Sequence, residues 1–149
     1  MIKVVSGNLF DSKSQVWVNT VNTVGVMGKG IALEFKNRFP EMFEEYTYAC
    51  KYGYVRIGTI WIWELPKTNI PQYVFNFPTK AHWRKSSRIE WIERGLDDLE
   101  IQLKIRSIKS ISIPPLGCGN GGLDWEKVRP LIEEKLGGLD CEILLYPPG

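Results

Sequence analysis

The sequence predicts a three-layer α/β/α domain built on a mixed, largely parallel central sheet. Three observations carry this reading. Strand-type and helix-type patterns alternate along most of the chain, two glycine-rich loops each follow a strand pattern and lead into a helix pattern, and no repeat, low-complexity stretch or linker interrupts the order. In such sheets ligands bind beyond the carboxyl ends of the strands, which puts both loops at one edge. At 149 residues the chain reads as one domain, long enough to bury a core without staples.

Each element has a local reason. Ile2 to Val5 is a short apolar strand closed by Ser6-Gly7-Asn8, and Val16 to Thr20 is the next strand. It empties into a loop containing Asn19, Asn22, Gly25, Gly28 and Gly30. Ile31 to Phe39 carries apolar residues at near-helical spacing and ends at Pro40, which opens a second helix through Met42, Phe43, Tyr46 and Ala49 or Cys50 that Gly53 stops. Ile57 to Leu65 alternates and is rich in β-formers, Pro66 to Pro71 is a turn, and Tyr73 to Phe77 is a strand. Ser86 or Ser87 caps a helix with Ile89, Ile92, Leu96, Leu99 and Leu103 on one face. Ser110 to Ile113 is a strand, Pro114 to Leu123 the second glycine loop, Asp124 or Trp125 to Leu136 a helix, and Cys141 to Tyr146 the strand that closes the sheet.

Composition narrows the class. The chain is 44% apolar and 24% charged, with a net charge of +2 too small to argue for a nucleic-acid partner by itself. Cys50, Cys118 and Cys141 form no CxxC and no short Cys/His spacing, which reads as reduced thiols in a cytoplasmic protein without a metal site. The N-terminus lacks a signal-peptide apolar region, and no apolar run approaches the roughly 20 residues of a membrane span.

The two loops suit an anion. Glycines let backbone N–H groups approach a ligand closely, and a helix start adds partial positive charge. The second loop formally contains GxGxxG at Gly117, Gly119 and Gly122, but it comes late in the chain and no acidic residue ends the next strand, as a dehydrogenase dinucleotide site requires. The Gly28-Lys29-Gly30 stretch fails the phosphate-loop pattern because no Ser or Thr follows Lys29. Two loops facing one cleft fit a ligand with a diphosphate held by backbone amides.

The segment Phe77 to Lys85 leaves a strand end. By charge pattern Lys80 belongs to a solvated basic run, whereas by position it is a candidate nucleophile, since a desolvated lysine among cations loses its proton more readily. His82, the only histidine, reads either as a proton shuttle or as a surface residue. With Trp83, Arg84 and Lys85 it combines an aromatic face with cations, a composition suited to single-stranded nucleic acid and equally to a solvated stretch before a helix.

Gly7-Asn8-Leu9, the stretch VNTVNTVGVMGKGIA, the loop PPLGCGNGGLDW and Tyr146 at the end of the last strand resemble the macrodomains, which bind ADP-ribose. The likeness covers essentially the whole chain. It is strongest to the branch of the human terminal ADP-ribose glycohydrolase and to DarG-type bacterial antitoxins, which remove ADP-ribose from thymidine in single-stranded DNA and counter a DarT-type toxin. The resemblance implies that Asn8 and Leu9 lie near the adenine with Tyr146 stacking on it. It implies that Gly28, Gly30 and Ile31 give amides to one phosphate, and that Leu116, Gly117, Cys118, Gly119, Asn120, Gly121, Gly122 and Leu123 wrap the other phosphate and the distal ribose. Asn22 would hydrogen-bond that ribose, and Lys80 would attack its anomeric carbon. No cofactor or metal is implied.

The chain departs from the human relative at Gly121, where that branch carries an acidic residue, so the corresponding carboxylate is missing. The expected activity is therefore a lysine-dependent ADP-ribosyl glycohydrolase acting on modified single-stranded DNA through His82, Trp83, Arg84 and Lys85. The rivals are a non-catalytic ADP-ribose reader and a deacylase of ester-linked ADP-ribose. The chain stops at Tyr146-Pro147-Pro148-Gly149, which the resemblance reads as an isolated, monomeric macrodomain or the N-terminal part of a longer antitoxin.

Overall fold

The computed structural model describes all 149 residues. Six strands form one sheet: β1 (Ile2–Val4), β2 (Val16–Asn22), β3 (Trp61–Glu64), β4 (Tyr73–Lys80), β5 (Ser110–Ile113) and β6 (Glu142–Leu145). Their order is β1-β6-β5-β2-β4-β3. Every neighbouring pair is parallel except β3 against β4, so the expected mixed, largely parallel sheet is present. The last strand does not close an edge. It lies between β1 and β5, and the Met1 ammonium donates to the Cys141 carbonyl at 2.9 Å beside it.

Four helices cover both faces: α1 (Gly30–Arg38), α2 (Pro40–Lys51), α3 (Ile89–Ile105) and α4 (Trp125–Leu136). The apolar stripe predicted on α3 is buried, with Ile92, Leu96, Leu99 and Leu103 packed on Phe75, Phe77 and the inner face of α4. The other layer buries Phe35, Met42 and Tyr46 of α1 and α2 against Trp17, Val21 and Val74. No helix is long and apolar enough to cross a membrane.

Four further sequence expectations change. Strand β3 starts at Trp61 rather than Ile57, because Gly58 turns the chain at φ +86° and the Ile60 amide bonds the Asp98 carboxylate at 2.7 Å. Strand β4 runs past Pro78 to Lys80. A register shift beside Pro78 lets Val21 face Pro78 and Asn22 face Lys80, and β3 has already ended opposite Asn76, so the missing proline N–H leaves no gap in a ladder. Asn19 sits inside β2, fully buried, donating to Asn76 Oδ1 at 3.0 Å. Finally, neither Ser86 nor Ser87 caps α3. Arg88 holds the cap position, and Ser87 is engaged with other backbone groups.

Candidate active site

Strands β2 and β4 end together, and their last register pair is Asn22 with Lys80. Beyond them lies a cleft of about 400 Å³ between the first loop with the start of α1 and the second loop after β5. Of the residues expected to act there, Asn22, Gly28, Ile31, Lys80, Trp83 and the run Gly117 to Gly121 line it. The only charged side chains in its wall are Lys29 and Lys80, and no carboxylate is among them.

Lys80 Nζ reaches across the cleft. It donates to the Trp83 carbonyl at 2.9 Å and to the Asn120 carbonyl at 3.4 Å. Partial burial, followed by the like charge of Lys29, lowers its pKa from the ordinary 10.5. The fraction of uncharged amine is therefore larger than for a lysine on open surface.

Asn22 is tied down. Its Nδ2 donates to the Val26 carbonyl at 2.7 Å, and its Oδ1 accepts from the amides of Val24 at 3.1 Å and Val26 at 3.3 Å. The Tyr46 hydroxyl lies 3.0 Å from that Oδ1 and 2.7 Å from the Asn22 carbonyl. Burial, then the nearby Cys50 thiol, pushes the Tyr46 phenol up, so it stays a donor. The carboxamide thus shapes the first loop and keeps one amide hydrogen for a ligand.

The first loop hands the chain to α1. Lys29 takes the cap position in extended conformation with no side-chain cap, leaving the first-turn amides of Gly30, Ile31 and Ala32 without intrahelical partners. Gly30 lies just behind the cleft wall. A Cβ there would stand 3.4 Å from Asn120 Nδ2, which shows how closely the two loops meet. In the second loop Gly117 has φ +72° and a Cβ would fall 2.6 Å from Leu123 Cδ1, so only glycine fits. Leu123 therefore supports the loop from beneath, Leu116 is fully buried in the core, and Gly122 ends the short turn outside the cleft. Cys118 lines the wall as a thiol. Its burial and the neighbouring Asp124 raise its pKa. Asp124 itself caps α4 by accepting from the Glu126 amide at 3.0 Å, the role expected of it.

The remaining expected residues lie elsewhere. Asn8 caps a short 3-10 turn by accepting from the Phe10 amide at 2.9 Å. Leu9 is buried in the α1–α2 core layer, Tyr146 packs against the same cluster, and neither is among the residues that line the cleft. His82, Arg84 and Lys85 stand outside it. The His82 ring stacks on Trp83 at 5.5 Å and 27°, and the Arg84 guanidinium lies 4.6 Å from the Trp83 ring centre. The cleft also uses Thr20, Val21, Val26, Lys29, Ala32, Thr79, Pro114 and Pro115, none of them singled out from sequence. Lys29 was legible as a cation held between glycines at a loop–helix junction. Failing the phosphate-loop pattern hid it.

A profile of the Macro domain matches residues 18–132. The chain belongs to the macro domain family. The DNA ADP-ribosyl glycohydrolase of Thermus aquaticus is 48% identical over 149 residues. The solved macrodomain of Thermus aquaticus DarG superposes with a TM-score of 0.95, covering 99% of each chain. That of Mycobacterium tuberculosis DarG is 47% identical with a TM-score of 0.97, covering 100% of this chain and 99% of that one. Thermosipho africanus DarTG, solved in complex with ADP-ribose, is 36% identical with a TM-score of 0.92, over 99% of this chain and 41% of that one. This macrodomain spans about two-fifths of the length of the curated relatives it matches, 41% and 42% of the first two.

Proposed function

We propose that this macrodomain is an ADP-ribosyl glycohydrolase that removes ADP-ribose from thymidine in single-stranded DNA, the antitoxin counterpart of a DarT-type DNA ADP-ribosyltransferase. The observation that carries the reading is Lys80, an amine of lowered pKa held across a cleft that contains no carboxylate. The names of the 48% and 47% identical relatives support it.

In this reading the first-turn amides of α1 and the amides of the second loop hold the diphosphate. The uncharged Lys80 amine attacks the anomeric carbon. Its lone pair forms the new C–N bond while the bond to the base breaks, the electron pair leaves with the base, and the base takes up a proton. Water then hydrolyses the lysine adduct, releasing ADP-ribose and restoring the amine. Asn22 fixes the first loop and offers one amide hydrogen to the ribose. Trp83 with Arg84, at the rim, receives the flanking strand. The protein acts as a cytoplasmic monomer, alone or as the N-terminal part of a longer antitoxin.

The rival reading is a module that binds ADP-ribose without cleaving it, and Gly121, which brings no carboxylate to the second loop, is what favours it. Single-turnover release of ADP-ribose from a thymidine-modified single-stranded oligonucleotide separates the two. Loss of release in Lys80→Ala with ADP-ribose binding retained supports the enzyme. Tight binding with no release by the unaltered protein supports the reader.

A further inference from the structure

We propose that Ser87 is the positioning residue for Lys80, acting by tying the end of β4, from which the lysine projects, to the second loop, whose Asn120 carbonyl accepts from the lysine amine. The proposal rests on the reading of Lys80 as the nucleophile and adds how this fold orients it. An uncharged primary amine has two N–H groups and one lone pair arranged tetrahedrally about nitrogen. The carbonyls of Trp83 and Asn120, at 2.9 Å and 3.4 Å from Nζ, accept both N–H groups. The lone pair then occupies the one remaining direction.

Ser87 holds the backbone on both sides of that contact. Its Oγ donates to the carbonyl of Thr79, the residue before Lys80. Its amide donates at 2.9 Å to the carbonyl of Gly121, the residue after Asn120. One side chain and one amide therefore tie the end of β4 to the second loop, and with Ser87 only 6% exposed, water does not readily replace either bond. The packing agrees. A Cβ at Gly121 would stand 3.1 Å from Ser87 Cβ, and one at Gly117 would stand 3.0 Å from Ser87 Oγ. At Gly121, where the human relative carries an acidic residue, a side chain would require Ser87 to shift by a few tenths of an ångström, so the two positions are packed against each other.

The test compares the intact protein with Ser87→Ala and with Ser87→Cys, which keeps the branching of the side chain but carries a larger atom that is only a weak donor. Ser86→Ala, changing the exposed neighbour, serves as control. Single-turnover release from the thymidine-modified oligonucleotide should fall about tenfold to a hundredfold in both Ser87 variants, as expected for a misplaced reacting group. Affinity for ADP-ribose should stay within about twofold, the range of a lost neutral hydrogen bond remote from the ligand. The pH giving half-maximal rate should rise, because a loosened Lys80 regains water. The other charged or titratable groups around Lys80 are Lys29 from the start of α1, His82 and Arg84 after β4, and Cys118 in the second loop, and the Ser87 variants leave all of them in place. The same upward move should appear, without substrate, in the NMR titration of isotope-labelled Lys80. An unchanged rate overturns the proposal, as does a joint loss of rate and ADP-ribose affinity with the titration unmoved. If Lys80→Ala turns over like the unaltered protein, the nucleophile reading fails instead. The substrate-free titration still decides whether Ser87 positions the lysine.

Discussion

Asn22 and Lys80 are register partners at the shared end of β2 and β4, yet only Lys80 directs its functional group across the cleft. The Asn22 carboxamide makes hydrogen bonds to Val24, Val26 and Tyr46 before any ligand arrives. Asn22→Ala removes the hydrogen bonds to the Val24 and Val26 backbone, while the Tyr46 hydroxyl keeps the backbone carbonyl of residue 22, and should destabilise the fold by about 1–3 kcal/mol. ADP-ribose affinity should weaken with it, because the first loop loses its shape. Denaturant unfolding and calorimetric titration check both effects; a stable variant that loses only turnover would instead assign Asn22 to the chemistry.

The pH dependence should reveal Lys29. The reactive form of Lys80 is the uncharged amine, so the rate rises with pH through the Lys80 pKa, which burial and Lys29 hold below the ordinary 10.5. Lys29→Met removes the like charge and lets that pKa rise. The rate profile should move to higher pH, with a lower rate near neutrality and an unchanged alkaline plateau. A profile that stays put would show that Lys29 does not act on Lys80.

Trp83 meets the cleft while Arg84 lies against its ring from outside, so strand binding should separate from ADP-ribose binding at this pair. Arg84→Ala should weaken binding of a modified single-stranded oligonucleotide and reduce its salt dependence by about one unit of slope. Trp83→Ala should lower that affinity by about 1–3 kcal/mol, the usual worth of one base–aromatic stack. Fluorescence anisotropy at several salt concentrations, beside calorimetry with free ADP-ribose, reads both. Equal losses for the two ligands would remove the strand-binding role.

Gly95 tests the other face of the sheet. A Cβ at this position of α3 would lie 2.3 Å from Phe77 Cζ, inside the core beneath β4. Gly95→Ala should therefore cost about 1–3 kcal/mol, although alanine ordinarily favours a helix interior. Thermal unfolding would show a lowered Tm; a raised one would mean that the ring moves freely.

The fold was legible because its signals are local and periodic. The stripe from Ile92 to Leu103 on α3 and the proline at the head of α2 correspond to what is observed. Errors fell where tertiary bonds decide. Asp98, remote in sequence, takes the Ile60 amide from the sheet and shortens β3, while the neighbouring strands, not Pro78 itself, determine how far β4 extends. At the site, Lys80, Asn22 and the second loop were found through glycine spacing and resemblance. Ser87 was visible only as a capping residue, because its two carbonyl partners come from distant segments. Asn8, Leu9 and Tyr146 were grouped by resemblance, and none of them is among the residues that line the cleft.

Six tryptophans are spread through the chain, and Trp83 alone lines the cleft, with a histidine ring and a guanidinium against it. Charge and water around an indole alter its emission. Occupancy should therefore change the fluorescence of one identifiable residue, and subtracting the signal of Trp83→Phe isolates it from the five others. The protein carries its own optical reporter for ligand arrival, and filling and emptying of the cleft can be timed without a label.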